Sequence, residues 1–300
     1  MLSTWRRSPS RLGLRSHAME LTYLGTATVL IDMAGLRLLT DPAFDPIGSR
    51  YDFGPWYAPK AWFSSEKTYN TPIEAASLGA IDAVLLSHDQ HADNLDHAGR
   101  QLLSGGQVAR VVTTPAGARR MAAAPPRRGP SPPGKGLGLG DRALGLVWGA
   151  STKLGSLSIT ATPGRHGPLG TPRIDQVCGF VLEAPGEPTI WISGDTILPA
   201  RVRRFLESTR TDGRRIDVAI VHCGGVRFPG VPLLGDKLFT FDAAQAIEAC
   251  RLIDPGEIIP VHREGWSHFR QPVAELMEGF TVAGLANRTR LLGLGETLRR

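Results

Sequence analysis

At 300 residues, with 42% hydrophobic and 21% charged residues, the chain is long enough to bury a sizeable core and has an ordinary globular composition. Its net charge of +6 is uneven: residues 1–18 carry Arg6, Arg7, Arg11 and Arg15 without an acid, and the stretch 125–135 adds Arg127, Arg128 and Lys135. The remainder is near neutral, which argues against a nucleic-acid footprint, and no apolar run approaches the ~18–20 residues that span a bilayer, so no transmembrane segment is expected.

Three scattered cysteines, Cys178, Cys223 and Cys250, are too few for a disulfide framework or a zinc knuckle, so a reducing, cytoplasmic setting is expected. Residues 1–18 lack the apolar core of a secretory signal. They are expected to form a disordered basic tail, either a targeting segment or extra residues ahead of a start at Met19.

From Met19 the pattern is β-rich. ELTYLGTATVLID and LRLLTDPAF read as two strands joined at Ala34-Gly35. Residues 51–63, aromatic and Pro-rich, read as a long loop. IDAVLLS reads as a buried strand, AGRQLLSGG as a short helix, RVVTTP as a strand and AGARRMAAA as a second helix. Residues 124–140 are dense in Pro and Gly and predict a surface insertion or linker. Beyond them, LGLVWG, LSITATPG, VCGFVLEA, PTIWISGD, DVAIVHCG and GEIIPVH are apolar runs of strand length. Helices fit PARVRRFLEST, TFDAAQAIEACRLI and PVAELMEGFTVAGL. Strands in each half with helices between and after them predict two sheets packed face to face with helices outside, an α/β class.

The ends of these strands collect metal-competent side chains. VLLS is followed by His88, His91 and Asp93; SITATPGR by His166; TIWISG by Asp195; EIIPV by His262. Imidazole and carboxylate together suit zinc, manganese or iron. Singly, His166 or His262 would read as a loop histidine; together with Asp195 and the SHDQHADN stretch they read as a metal site.

In this order the motifs resemble the metallo-β-lactamase superfamily. Its usual first motif is His-x-His-x-Asp-His, followed by a lone His, an Asp after a strand and a final His; SGDT at 193–196 and PVH at 260–262 match it. TPGRHGP at 162–168 and the opening LTYLGTATVLID with the Asp41-Pro42 turn resemble the branch of ascorbate-6-phosphate lactonases and of the phospholipase D that hydrolyses N-acylphosphatidylethanolamine. The resemblance implies a four-layer αββα sandwich over residues 19–300. It implies one or two divalent ions, zinc before manganese or iron, with His88, His91 and His166 on the first, Asp93 and His262 on the second, and Asp195 bridging. It further implies a metal-bound hydroxide cleaving a small ester, lactone or phosphodiester, with Asp93 or Asp195 accepting or holding the proton. A nuclease of the same fold and a metal-binding protein without catalysis are the alternatives.

The first motif departs from the pattern. One residue is added between the histidines (His88-Asp89-Gln90-His91), so Asp89 stands two before His91 and competes with His88 as a ligand; His88, directly after the strand and Ser87, is preferred. Asn94 replaces the last histidine, and its neutral amide oxygen predicts a weaker second ion or one that prefers oxygen. His268, six residues after His262, is expected to act as a general acid or substrate donor, or else to pack or cap. His222 reads equally as structural or as supporting the site, and His97 is left out. Arg173 and Arg263 are candidates for neutralising an anionic small-molecule substrate, with surface placement as the alternative. Trp56, Tyr57, Trp62 and Phe63, with the stretch 226–239, are expected to wall the site, to pair copies of the chain in a homo-oligomer or to touch a membrane.

Overall fold

The run expected to form one strand at the start of the chain folds as a hairpin: β1 (Glu20–Gly25) and β2 (Thr28–Met33) pair antiparallel. Thr26 turns the chain at φ 51°, a left-handed conformation that a strand pattern does not reveal. A second turn at Ala34 and Gly35, both at positive φ, leads into β3 (Leu36–Thr40), as the sequence predicts. This computed structural model describes residues 19–54, 59–126, 134–168, 170, 176–232 and 234–300. The tail 1–18, Trp56, Tyr57, Arg173 and residues 127–133 of the Pro/Gly-rich stretch lie outside them.

Residues 50–66 hold a small hairpin, β4 (Arg50–Asp52) with β5 (Ser64–Glu66). The first sheet then continues through β6 (Ala83–Leu85) and β7 (Val111–Thr113) to β8 (Ala143–Gly145), all parallel to β3. Between them lie α1 (His97–Ser104) and α2 (Pro115–Ala122), as crossovers between parallel strands require. Both helices start on side-chain caps: Asp96 accepts from Gly99 N and Thr114 from Gly117 N.

The second sheet comprises β9 (Ser151–Leu154), β10 (Leu157–Pro163), β11 (Cys178–Glu183), β12 (Ile190–Ile192), β13 (Val218–His222) and β14 (Glu257–Val261). Three helices accompany it: α3 (Ala200–Thr211), α4 (Ala243–Ile253) and α5 (Val273–Val282). A last strand, β15 (Thr297–Arg299), returns to pair with β1.

Side-chain alternation settles the layering. In the second sheet Phe180, Leu182, Ile190, Ile192, Ile220 and Ile259 face Leu21, Ile31, Leu38 and Leu85 of the first. Their neighbours Val181, Trp191, Ala219, Val221 and Ile258 face Val202, Leu206, Ala246, Cys250, Leu276 and Phe280 of α3, α4 and α5. On the other side, Leu24, Leu39, Val84 and Val111 pack on Leu102, Leu103 and Met121 of α1 and α2. The result is the expected αββα sandwich. Because β12, β13 and β14 run parallel, their C-terminal ends deliver Asp195, His222 and His262 to one edge.

Candidate metal centre

The loop after β6 is held by Asp41, just past β3: buried Asp41 Oδ1 accepts from Ser87 N at 2.7 Å, and its carbonyl accepts from Thr28 Oγ1 at 2.7 Å. Burial pushes the Asp41 carboxyl well above its usual range, and nearby Asp195 adds to this. The loop presents His88, His91 and Asp93.

The structure brings His88, His91 and His166 together, with ligand atoms within 4.8 Å of one another. His91 Nδ1 lies 3.0 Å from His88 Nε2 and 2.8 Å from His166 Nε2. Burial, with the other imidazoles adding to it, holds His88 well below its ordinary pKa and His91 down at about 4. Both rings are therefore neutral at pH 7. The His166 Nδ1–H donates to the Phe239 carbonyl at 2.8 Å, which turns its Nε2 lone pair inward. His88 Nδ1 faces Ser87 Oγ at 3.0 Å. A single proton on His91 Nδ1 can bridge only one of its two neighbours. Three imidazole nitrogens so placed fit a shared cation.

Asp93, Asp195 and His262 form a second group with donor atoms equally close. His262 Nε2 lies 3.2 Å from Asp93 Oδ2 and 3.4 Å from Asp195 Oδ2. These separations match the ~3.3 Å between ligands on a tetrahedral zinc with ~2.0–2.1 Å bonds. Burial would raise both carboxyls, but hydrogen bonds from His262 and His268 hold Asp93, and the His262 charge holds Asp195, well below the carboxylate range. Asp195 and Asp93 in turn raise His262 against its burial. His262 itself sits at φ 53°, a left-handed backbone that points its ring at the acids. Gly194 does the same for Asp195: at φ 62°, a Cβ there would meet the Cys178 carbonyl oxygen at 2.4 Å.

Asn94 is buried beside both carboxylates. With its NH2 turned toward them, it donates to Asp93 Oδ1 at 3.2 Å and to Asp195 Oδ2 at 3.1 Å, and the other end of the amide faces Ser87 Oγ. The residue in the place of a family histidine thus acts as a hydrogen-bond donor to both carboxylates. His222, evenly weighed in the sequence, donates from Nδ1 to Asp195 Oδ1 at 2.9 Å and is fully buried. Burial lowers its pKa against the pull of Asp195.

Of His88 and Asp89, the structure brings His88 into the histidine group. Asp89 turns away and is gripped by Arg120 of α2, with Nε to Oδ2 at 3.0 Å. Arg263 is buried too: it donates to the Pro260 and Leu292 carbonyls and lies over the Tyr23 ring, so it braces the strand behind the site. His268 has both nitrogens engaged, Nδ1 with Ser65 Oγ at 2.6 Å and Nε2 with Asp93 Oδ2 at 3.1 Å. His97 opens α1 and packs on Tyr51, apart from the donor groups.

Aromatic rings line the histidines. Phe53 lies 5.6 Å from His91 and 4.6 Å from His268; Phe239 lies 6.1 Å from His166; Phe228 stacks on His268 at 6.2 Å. Of the expected wall, Phe63 contributes through Phe228, while Trp62 is exposed. Phe228 and Phe239 belong to the stretch 226–239 expected to wall the site, whereas Phe53, in the loop 51–63, has no pattern that singles it out. A separate cavity of about 540 Å³, lined by Glu187, Arg215, Asp217 and Arg300, lies at the opposite ends of β13 and β14. Among the described residues no helix is long and apolar enough to cross a membrane.

The family described as "Beta-lactamase superfamily domain" matches residues 36–263, which include all six residues of the two donor groups. The chain belongs to this superfamily. It is 25% identical over 253 residues to a UPF0173 metal-dependent hydrolase of Xanthobacter autotrophicus, covering 81% of this chain and 83% of that one. An uncharacterised protein of Mycobacterium tuberculosis is 29% identical over 150 residues, 49% of this chain; the match spans only 34% of that relative's length. Among solved structures, isothiocyanate hydrolase from Delia radicum gut bacteria shares the fold with a TM-score of 0.70 at 20% identity, covering 93% of this chain and 98% of that one.

Proposed function

We propose that this chain hydrolyses a small, uncharged ester or lactone, with His88, His91 and His166 holding one divalent ion and Asp93, Asp195 and His262 a second. The observation that carries this reading is the convergence of three imidazole nitrogens and, beside them, two carboxylates with His262. Zinc fits the nitrogen-rich first set best. Divalent ions held there supply a water of lowered pKa and a Lewis acid for the substrate carbonyl.

The chain's own residues do the rest. Asp93 and Asp195, kept ionised by their neighbours, would accept a hydrogen bond from the attacking water and orient it. His222 and Asn94 fix the rotamers of these acids. Phe53, Phe228 and Phe239 exclude bulk water and give an apolar substrate its binding surface. This collar, and the burial of Arg263 behind the site, favour an uncharged substrate over the anionic phosphodiester. Three buried, unpaired cysteines suit a reducing compartment such as the cytoplasm. The Asp41 brace and the His166 loop support placement near the lactonase branch.

The test is turnover by the chelator-stripped chain reconstituted with zinc, manganese or iron. The substrates are p-nitrophenyl esters, a lactone panel, bis-p-nitrophenyl phosphate and, given the structural neighbour, an alkyl isothiocyanate. Metal-dependent turnover of uncharged substrates, lost more than ~100-fold in His166→Ala, is expected. No turnover with any of the three metals would refute the proposal.

A further inference from the structure

We propose that six aromatic rings form a closed collar over the donor groups that admits only slender groups, so that the substrate carries no branch beside its reacting carbonyl, and that Phe53 and Phe228 set the width. The inference rests on the hydrolase reading of the site and narrows its substrate class from uncharged to uncharged and unbranched.

The rings run in a circuit. Between ring centroids, Phe53 meets His91 at 5.6 Å, His91 meets His166 at 4.8 Å and His166 meets Phe239 at 6.1 Å. Phe239 meets Phe228 at 5.3 Å, Phe228 meets His268 at 6.2 Å, and His268 returns to Phe53 at 4.6 Å. Every step lies in the contact range of aromatic pairs, ~4.5–7 Å. The circuit also stands on the route to the donors. His88, Asp93, Asp195 and His262 are buried, whereas His91 and His166 keep partial exposure, and both belong to the circuit. Phe53 and Phe228 are half-buried as well and form its outer side, while Phe239 and His268 are buried.

The backbone fixes the phenylalanines from two separate segments. Phe53 N donates to the Phe63 carbonyl at 3.1 Å beside the β4–β5 hairpin, and Gly54 lies so close to the Phe63 ring that a Cβ there would overlap it. The loop 226–239 is closed at its base: Phe239 N donates to the Val226 carbonyl at 2.9 Å and Val226 N to Thr240 Oγ1 at 3.1 Å, which sets Phe228 beside Phe239. The Phe63 ring, 5.0 Å from Phe228, ties the hairpin to this loop.

A closed circuit has a largest possible opening. Its six separations average about 5.4 Å. Six sides enclose the widest passage as a regular hexagon, whose centre lies one side-length from each corner. Subtracting half of a ~3.5–4.0 Å carbon contact for the rings leaves a passage at most ~7 Å across. An extended alkyl chain, about one carbon contact (~4 Å) wide, passes it; three methyls on one carbon fill it from wall to wall.

The test uses the zinc-loaded, full-length chain and the isomers p-nitrophenyl pentanoate and p-nitrophenyl pivalate. Each kcat/KM is divided by the ester's rate with hydroxide in free solution, so that intrinsic reactivity cancels. The wild type should prefer the straight chain by ~10–200-fold, the discrimination that a hydrophobic pocket achieves over one methylene. Phe53→Ala and Phe228→Ala, in two separate segments, should each cut that preference about tenfold or more, with zinc content and circular dichroism unchanged. Calorimetric titration with pentanohydroxamic and pivalohydroxamic acids, uncharged isomers that differ only in branching, reads the collar without turnover. The wild type should bind the straight chain about tenfold tighter or more, and both variants should bring the two affinities together. Equal normalised turnover of the two esters by the wild type, or a preference that neither variant moves, overturns the collar and leaves the hydrolase reading standing. Straight-chain-selective binding that both variants abolish, without turnover of any ester, upholds the collar and removes the hydrolase reading. Absence of both selective binding and turnover removes both.

Discussion

Lys67 offers the sharpest test of how the fold supports this edge. Its side chain is fully buried, and its ammonium donates to the Ala43 carbonyl at 2.7 Å and pairs with Asp96 Oδ2 at 3.5 Å. Asp96 also accepts from Asp45 N at 2.6 Å and caps α1 through Gly99 N. Asp45 in turn receives the Tyr51 hydroxyl and Ala98 N. Burial raises the Asp96 carboxyl from 3.8 to about 6, with Lys67 pulling the other way. A carboxyl raised on folding binds more protons in the native chain, so its contribution to stability falls as pH climbs from about 4 through the folded pKa; this shift corresponds to ~3 kcal/mol. In Lys67→Met the counter-charge is gone and volume is nearly kept. The Asp96 pKa then rises further, and the window of lost stability extends upward past pH 6. Removing one partner of a buried pair costs ~3–5 kcal/mol. We expect that loss at pH 8 and a loss of ~1 kcal/mol at pH 5, where Asp96 takes up its proton. Urea unfolding of both proteins at the two pH values, followed by circular dichroism, measures the difference. A Lys67→Met protein within ~0.5 kcal/mol of wild type at pH 8, or equally destabilised at both pH values, would refute the reasoning.

Two further substitutions address the site directly. His88→Ala should lose the ion held by His91 and His166, whereas Asp89→Asn should keep it and lose ~1–2 kcal/mol of stability as Arg120, which keeps Gln176, loses its charged partner; metal analysis and thermal melting of the pair decide, and the reverse pattern would make Asp89 the ligand. His222→Ala strips the donor from Asp195 Oδ1 and should weaken zinc binding ~10–100-fold with the fold retained. Unchanged titration isotherms would reduce His222 to a packing residue.

How much of this was legible in the sequence depends on what each feature needs. The β6, β10, β12, β13 and β14 strands were legible because each is an apolar run that stops at a polar, chemistry-bearing residue. The β1–β2 turn was not, since Thr26 interrupts no pattern while it reverses the chain. Nor was β15: three residues gain their strand character only from β1, where Thr22 and Thr297 join hydroxyls at 2.8 Å across 275 positions. In the site, the six expected donors stand at strand ends and could be listed in order. Spacing could not separate His88 from Asp89, because what turns Asp89 away from the histidine group is Arg120 of α2, 31 residues on. The roles of Asn94 and His268 also arise from long-range contacts, and the interval from His262 to His268 follows neither helical nor strand periodicity.

The buried charges explain why these features belong together. Asp93 and Asp195 are buried on one edge and held ionised, beside Asp41, whose carboxyl pKa is raised by burial, while His88 and His91 are neutral there and His262 is the member whose proton affinity is raised. That balance leaves the edge negative, and like charges at close range in low dielectric oppose folding. Hydrogen bonds from Asn94 and His222 offset part of this repulsion by giving Asp93 and Asp195 donors. A divalent cation offsets the rest, and whatever binds the native chain alone stabilises it, by ~2.7 kcal/mol at a hundred times its Kd. The left-handed backbone at His262 and the Gly194 turn are tolerated on the same terms, since they aim ligands that bind only in the folded chain. Metal affinity and fold stability at this edge are therefore one linked equilibrium, and substitutions at His222 or Asn94 should move both in the same direction.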